Sequence, residues 1–424
     1  MSASASCKLG SSHLPLEEIR ALFPALLAAP NFVFFDNAAG AQIPQTVLDA
    51  VNHHLVECNV QRGGRYAKSQ EVDETLARAR ESVAMFVNAR DPAEIAFGMN
   101  ATSFIRLVSL AIGQNLADRR QIIVTDLDHE ANVATWLALE REGASFAWWR
   151  TREDGTLSVR DLEPLLSNRT RLVACTVASN ALGSVVDVAG VAKCAHSAGA
   201  EVFLDCVHYA PHGPIDVRQF DCDYLVCSGY KIFAPHMGFL WGRREALDRL
   251  QTFREDFIPN EPPSKIEAGT LVYENIAGMQ AAVLYLESLG KRLNAGTNSG
   301  SRRENLVRAM EAIREYEAEL TVELLHVLRD AGAVVYGIRD PARVAERVPT
   351  LLFNLNRLAP DVLVEKLASE GIGARDGHMY APRLMRRLGL SENAGAVRAS
   401  LVHYNTFAEI HRFGEVLRRL AERA

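Results

Sequence analysis

The sequence predicts an α/β protein with a mostly parallel seven-stranded sheet and a smaller α+β domain toward its C-terminal end. Up to about residue 280, amphipathic helical patterns alternate with short apolar runs, which is typical of a parallel sheet covered by helices. Beyond that point the pattern changes to long charged helical segments followed by short strands. A chain of 424 residues has room for both parts. We therefore expect a large domain over residues 30–280 and a small domain formed by 1–29 and 281–424.

Seven apolar runs are the candidate strands of the large sheet. Turn residues or helical patterns separate each run from the next. The runs lie at 94–99, 121–126, 145–150, 171–177, 201–206, 224–228 and 239–242. Two later runs, at 350–356 and 397–404, are expected to be strands of the small domain. No internal repeat or long linker separates the two parts, so we expect them to pack closely.

Composition and charge narrow the classes of partner. The net charge of -6 provides no basic field for a phosphate backbone, so we expect a small-molecule substrate and no nucleic acid. No run approaches the roughly 18–20 apolar residues of a membrane span, and the N-terminal segment lacks a basic stretch followed by an apolar one. We expect a cytoplasmic protein without a membrane partner. The seven cysteines are scattered, which predicts buried thiols and no metal site.

The segment EVFLDCVHYAPHGPIDVRQFDCDYLVCSGYKIFAPHMG carries the clearest chemical signal. Ligands of open parallel sheets bind beyond the carboxyl ends of the strands, which places Asp205 and the turn ending at Lys231 at one rim. The apolar setting of Lys231 lowers the pKa of its amine and favours an imine-forming nucleophile. An aspartate nearby can keep a pyridine nitrogen protonated, as pyridoxal 5′-phosphate (PLP) chemistry requires. Each residue alone is ordinary, but the pair indicates a PLP site with a Schiff base on Lys231.

The chain resembles the cysteine desulfurase and selenocysteine lyase branch of the class V aminotransferases. The similarity covers nearly the whole chain and keeps its motifs in order. These motifs are FFDNAAGAQIP, NATSFIRLVS, DLDHEANVATW, VASNALGSVVDV, FLDCVHYAPH, CSGYKIFAPHMG, KIEAGT and RASLVHYNT. The resemblance implies the PLP-dependent transferase fold type I and a PLP cofactor. Isopenicillin N epimerase-like proteins belong to the same group.

The resemblance also implies how the cofactor ring would be held. Lys231 matches the Schiff-base lysine, and Asp205 matches the partner of the pyridinium nitrogen. His129 matches the catalytic histidine that stacks on the ring. Asn180 matches an asparagine beside the phenolic oxygen, and His208 stands where relatives carry a glutamine with the same duty. An imidazole can titrate where an amide cannot, which distinguishes this chain from those relatives.

The cofactor phosphate has its own set of implied contacts. Ala101 and Thr102 match the turn at a helix N-terminus, a favourable place for an anion. Ser228 and Tyr230 would complete the shell, with a phenol at Tyr230 where the family has a histidine. Thr270 matches a threonine that reaches the phosphate of a neighbouring subunit. The resemblance therefore implies a homodimer with shared active sites.

Substrate binding is implied by residues near the C-terminus and one near the start. Arg398 matches the arginine that binds the α-carboxylate of a small amino acid, a task suited to a planar guanidinium. Arg375 and His378 match an arginine and a histidine of the active-site loop, with less defined roles. Tyr380 and Asn37 are expected to shape the specificity of the pocket.

The chain departs from the desulfurase pattern at Tyr380. Desulfurases of the most similar type place a cysteine there, and this cysteine takes the sulfur as a persulfide. No cysteine follows Cys227, although that route requires a thiolate within reach of the substrate sulfur. Cys206 and Cys227 lie in predicted strands, where we expect them to pack rather than react.

The sequence thus predicts a PLP-dependent carbon–sulfur or carbon–selenium lyase of the cysteine desulfurase-like type. Its reaction would begin with removal of the Cα proton by Lys231. An amino-acid epimerase or an aminotransferase of the same fold is the alternative, since the persulfide cysteine is missing. Tyr380 would then be either a second acid/base or a loop aromatic. A third interpretation is a sulfur-carrier partner or regulator without turnover, but Lys231, Asp205, His129 and Arg398 together argue against it.

Overall fold

The structure is a computed structural model that describes residues 14–294 and 300–423. The helices are α1 (Leu16–Ala21), α2 (Pro24–Ala28), α3 (Gln45–Glu57), α4 (Ala67–Val87), α5 (Ala101–Gly113), α6 (Ala131–Leu137), α7 (Val159–Leu162), α8 (Val188–Ser197), α9 (Val217–Phe220), α10 (Arg244–Arg249), α11 (Tyr273–Leu293), α12 (Arg302–Asp330), α13 (Pro360–Ser369), α14 (Pro382–Arg387) and α15 (Phe407–Arg423). The strands are β1 (Val33–Phe34), β2 (Ile95–Gly98), β3 (Gln121–Thr125), β4 (Ser145–Trp149), β5 (Thr170–Thr176), β6 (Glu201–Asp205), β7 (Tyr224–Ser228), β8 (Gly238–Gly242), β9 (Ala333–Tyr336), β10 (Thr350–Leu355), β11 (Ile372–Gly373), β12 (Arg375–Gly377) and β13 (Ala396–Ser400).

The large sheet has seven strands in the order β2-β8-β7-β6-β5-β3-β4. Only β8 runs antiparallel to its neighbours in this sheet. All seven predicted strands are present, each within one or two residues of the predicted bounds. The predicted fold class, an α/β protein with a mostly parallel sheet, is confirmed.

Both faces of the large sheet are buried, which explains why its strands read as continuous apolar runs. In β6, Val202 and Leu204 pack into one hydrophobic cluster and Phe203 packs into the cluster on the opposite face. The first cluster includes residues of α4, α8 and α11, and the second includes residues of α5 and α6. Helices on two faces leave the carboxyl ends of the strands open at the rim.

The small sheet is antiparallel in the order β12-β13-β10-β9 and packs against α12 and α15. The predicted strand at 350–356 is β10, whereas the one predicted at 397–404 is wrong beyond Ser400, where β13 ends. Residues after Ser400 are still buried, so hydrophobicity extended the predicted strand too far. The proposed boundary at residue 280 falls inside α11, and the part of the N-terminal segment at 1–13 lies outside the described residues.

A buried arginine ties the two sheets together. Arg347 donates hydrogen bonds to the carbonyls of Leu182, Ile338 and Thr350. The first carbonyl belongs to the turn after β5, and the last belongs to β10. Burial lowers the pKa of Arg347 to about 10. These bonds hold the turn that carries Asn180 against the small sheet. Within the described ranges, no helix is long and apolar enough to cross a bilayer.

Candidate active site

Two adjacent parallel strands place a lysine and an aspartate at the same rim. Asp205 is the last residue of β6, and Lys231 ends a short 3₁₀ turn, Gly229–Lys231, that directly follows β7. The register pairs Asp205 with Val226, so the two strands finish side by side. Both side chains are buried. This is the arrangement that the sequence predicted from strand ends.

Burial sets the protonation of this pair. It lowers the pKa of Lys231 to about 8, and the positive charge of Arg398 lowers it further, while Asp205 and Asp36 oppose the shift. Burial also raises the pKa of Asp205, whose Oδ1 accepts a hydrogen bond from the Val207 amide at 2.9 Å. Near neutral pH a fraction of the lysine is therefore the free amine, the form that attacks a carbonyl.

His129 lies over the same cavity in its neutral form. Burial lowers its pKa to about 4, and the charges of Lys231 and Arg398 act in the same direction. Its Nδ1 accepts a hydrogen bond from the Ala131 amide at 3.1 Å, and the ring centroid of Tyr380 is 5.5 Å away. A neutral, anchored imidazole with an aromatic neighbour is suited to stacking on a planar ligand.

A helix N-terminus provides an anion-binding end of the cavity. Asn100 caps α5 in a reciprocal pair with Ser103, and the Ala101 amide donates to Ser228 Oγ at 3.2 Å. Gly238 of β8 lies against this turn, since a Cβ at that position would be 2.6 Å from the Asn100 carbonyl carbon. The helix dipole and the free first-turn amides favour a bound phosphate at this place.

One large cavity and one small pocket bring most of the predicted site residues together. The large cavity has a volume of about 1180 Å³, and the small pocket beneath it has a volume of about 50 Å³. Predicted residues that line the large cavity are Thr102, His129, Asn180, Ser228, Tyr230, Lys231, Arg375, Tyr380 and Arg398. Ala101, Asp205 and His208 line the small pocket.

Asp36 joins the two arginines of the site, and sequence reasoning missed it. Its Oδ1 accepts from Arg398 Nη2 at 3.0 Å, and its Oδ2 accepts from Arg375 Nε at 2.8 Å. Arg398 also donates from Nη1 to the Asn180 carbonyl at 2.8 Å. The signal was present in the motif FFDNAAG, but the contact depends on an isolated bridge between Asp36 and Ser400 that the sequence does not reveal.

Several buried polar atoms at the cavity have no hydrogen-bond partner among the described residues. They are Asn180 Oδ1, His208 Nδ1 and Arg398 Nε. The other ends of two of these groups are held, because Asn180 Nδ2 donates to the Met379 carbonyl at 2.6 Å and His208 Nε2 lies 3.0 Å from Thr350 Oγ1. Unpartnered polar atoms at a cavity fit a polar ligand that would satisfy them.

Three predicted site residues do not line the large cavity. Asn37 is buried and donates its amide to the Ser400 carbonyl at 2.9 Å and to other groups. His378 accepts from the Tyr380 amide at 3.0 Å and thus supports the loop rather than facing the cavity. Thr270 lines a neighbouring pocket and accepts from Gln61 at 3.2 Å.

The loop that carries Tyr380 has an unusual backbone. Met379 and Tyr380 both have positive φ angles, 52° and 55°, a region that side chains other than glycine rarely occupy. The Tyr380 carbonyl accepts from the Glu130 amide at 2.7 Å, and Arg383 pairs with the Glu130 carboxylate at 3.1 Å. These bonds hold the tyrosine at the cavity rim beside His129.

No cysteine is among the described residues that line the cavity. Cys206 and Cys227 are fully buried in the core cluster on one face of the sheet. Burial raises the pKa of the Cys206 thiol well above its ordinary value. Both cysteines therefore pack, as the sequence analysis expected.

A second aspartate missed by sequence reasoning supports His129 from behind. Asp128 is buried, accepts from Asn132 Nδ2 at 2.6 Å and contacts Thr125 Oγ1. Burial raises its pKa to about 7. It lies in the motif DLDHEAN, but only the fold shows that it fastens the turn before α6.

The fold and the rim site define a class of enzyme in which a buried lysine and a strand-end aspartate share one cavity. The family model "Aminotransferase class-V" matches residues 33–300 and 305–413. The chain belongs to this family, whose members depend on PLP. The recognised family resemblance is thus confirmed.

Individual relatives agree with this assignment. A cysteine desulfurase of Synechococcus elongatus is 32% identical over 97% of this chain, which spans 64% of the length of that relative. An aminotransferase-like protein of Gibberella zeae is 33% identical over 95% of this chain and 97% of its own. The solved apo structure of the cysteine desulfurase from Thermococcus onnurineus is similar with a TM-score of 0.86 and 25% identity, covering 97% and 99% of the two chains.

Proposed function

We propose that this protein is a PLP-dependent, cysteine desulfurase-like lyase that cleaves a carbon–sulfur or carbon–selenium bond of a small amino acid. The observation that carries the proposal is Lys231, a buried amine with a pKa lowered to about 8, beside Asp205. The guanidinium of Arg398 faces the same cavity. Amine, carboxylate and guanidinium match the aldehyde, the pyridine nitrogen and the substrate carboxylate of this chemistry.

The residues present fit PLP at each of its polar groups. Lys231 would hold the aldehyde carbon, Asp205 the ring nitrogen, and His129 would cover the ring. The free atoms Asn180 Oδ1 and His208 Nδ1 suit the phenolic oxygen, which would satisfy them. When bound, PLP supplies the electron sink that stabilises negative charge at Cα.

The phosphate would lie at the N-terminus of α5. The amides of Ala101 and Thr102, together with the hydroxyls of Thr102, Ser228 and Tyr230, are the donors that this end of the cavity offers. The Ala101 amide donates to Ser228 Oγ, so the turn and the strand end are already in contact. A dianion in this position gains from both the helix dipole and direct hydrogen bonds.

The substrate would be oriented by the arginines and deprotonated by the lysine. Arg398 and Arg375 would share the α-carboxylate with Asp36, and Lys231 would accept the Cα proton. Tyr380 would border the substrate side chain. We place His378 and Asn37 in supporting roles, because each spends its described hydrogen bonds on loop or backbone groups.

We further propose a homodimer. Thr270 is exposed and lines a pocket other than the large cavity of its own chain, so its proposed phosphate contact requires a second copy. A crosslink-and-mass measurement of the purified protein would test this: a monomer at assay concentration argues against a phosphate role for Thr270.

A second candidate function is amino-acid epimerisation or transamination. Tyr380 favours it, since this phenol lies at the rim beside His129 and no cysteine lines the cavity in the described part of the chain. Replacing Tyr380 by Phe separates the candidates: an epimerase that uses the phenol would stop inverting Cα, while a lyase would keep its products.

The test is incubation of the holoenzyme with L-cysteine, and in parallel with L-selenocysteine, in deuterated buffer. Mass spectrometry would identify every product. Alanine or pyruvate with stoichiometric sulfide or selenide supports the lyase, and Lys231→Ala should abolish both. An unchanged amino acid that has gained deuterium at Cα, or an inverted one, directs the assignment to the second candidate.

A further inference from the structure

Helices α3 and α4 bring together three side chains of the types that bind transition metals. His53 lies in the last turns of α3, Cys58 directly follows α3, and Glu71 lies in the first turns of α4. Their ligand atoms, one nitrogen, one sulfur and one oxygen, all lie within 4.8 Å of one another. The sequence analysis expected no metal site, because spacings of 5 and 13 residues match no common metal motif.

We propose that His53, Cys58 and Glu71 form a binding site for Zn²⁺ or a similar divalent transition metal. Imidazole, thiolate and carboxylate are the three ligand types of protein zinc sites. Zinc bonds of about 2.3 Å to sulfur and about 2.1 Å to nitrogen place such ligands about 3.6 Å apart in a tetrahedron. His53 Nε2 is already 3.9 Å from Glu71 Oε1. A thiol ligand excludes Mg²⁺ and Ca²⁺ as the preferred ions.

The three ligands differ in mobility in a way that suits metal capture. Cys58 is 2% exposed and Glu71 is half-buried, so these two are held in place. The side chain of His53 is 65% exposed and can swing by the remaining distance. Binding would replace the thiol proton by the metal, releasing that proton to solvent. The fourth position would face solvent and hold water.

The surroundings provide a second shell of charge. Lys68 Nζ lies 3.1 Å from Glu71 Oε2 and 3.9 Å from Glu57. The lysine thus occupies one carboxylate oxygen of Glu71 and leaves Oε1, the oxygen nearer to His53, for the ion. Partners of this kind orient a ligating carboxylate. Lys68→Met removes a competing positive charge and should tighten metal binding.

A metal at this place would fasten both ends of the segment that joins α3 to α4. This segment contains Gln61, which accepts from the Tyr273 hydroxyl at 2.6 Å and donates to Thr270 at 3.2 Å. Ser69 of α4 closes the segment by accepting from the Gly64 amide at 2.6 Å. The site therefore has a structural task that is independent of the proposed catalytic function: it would fix the segment that contacts Thr270.

The experiment titrates the purified holoenzyme with Zn²⁺ in a calorimeter and with Co²⁺ in a spectrophotometer. We expect one Zn²⁺ per chain and visible Co²⁺ bands of tetrahedral intensity. Cys58→Ser should weaken Zn²⁺ binding by more than the about 10-fold that loss of an outer partner causes. Zn²⁺ should raise the Tm of the parent but not that of this variant.

Two further variants keep the proposal falsifiable. His53→Gln changes an exposed side chain and so leaves folding intact, yet it should also weaken binding at least 10-fold. Cys194→Ser is the matched control, since this half-buried thiol is 3.8 Å from Glu163 but belongs to no three-ligand group in the described residues. Absence of Zn²⁺ binding at micromolar concentration, or equal affinity in Cys58→Ser and Cys194→Ser, would overturn the proposal.

Discussion

Replacing Arg398 by Lys tests whether this guanidinium binds the substrate carboxylate. The residue is buried, and two of its nitrogens are engaged, Nη1 by the Asn180 carbonyl and Nη2 by Asp36. Its Nε has no partner among the described residues. A lysine keeps the charge but loses the planar fork, so it cannot serve these groups and a ligand at the same time.

The expected loss follows from the missing hydrogen bond. A bond to a charged group contributes about 1.5–3 kcal/mol, so losing one should raise KM by about 10- to 100-fold. The assay follows the absorbance of the bound cofactor on addition of L-cysteine and, in parallel, of cysteamine, which lacks the carboxylate. The affinity for cysteine should fall, while that for cysteamine should stay within about twofold.

The control is Arg347→Lys, another buried arginine, which bonds only to backbone carbonyls away from the cavity. It should lower Tm and leave KM for cysteine unchanged. If Arg398→Lys weakens cysteine and cysteamine equally, or neither of them, the guanidinium does not recognise the carboxylate and the orientation of the substrate proposed above is wrong.

Three further outcomes are expected. Lys231→Ala should retain no cofactor after borohydride reduction and dialysis, by mass spectrometry; retention would exclude a covalent link. The folded pKa of Lys231, about 8, lies below its ordinary value of 10.5, so apo stability relative to Lys231→Met should rise between pH 8 and 10.5, by denaturant unfolding, and a flat difference contradicts this. Gly238→Ala should cost about 1–3 kcal/mol and weaken PLP binding, whereas Gly40→Ala, with its nearest contact at 3.6 Å, should not.

The parts of the site that depend on strand ends could be predicted from sequence. Lys231 and Asp205 follow adjacent apolar runs, and the rule that parallel strands end at one rim is enough to bring them together. The same reasoning found the capped turn at Ala101. These predictions succeed because each depends on a local pattern and one general property of parallel sheets.

The remaining contacts depend on distant segments and could not be read from the chain. Asp36 meets Arg375 only because β1 pairs with β11, which lies more than 300 residues later. Asn37, one residue further on, turns away from the cavity into a buried network. Side-chain direction within a turn is decided by such pairings, so a motif locates a loop without telling which of its residues faces the ligand.

The carboxylate of Asp36 also makes the site selective among anions. Because Arg375 and Arg398 already share an internal counterion, they do not present a bare double cation to chloride, phosphate or other buffer anions. An incoming amino acid brings its own ammonium together with its carboxylate, and this zwitterion leaves the local charge balance unchanged. A simple anion would add uncompensated negative charge beside Asp36, so common salts should be poor competitive inhibitors of this enzyme.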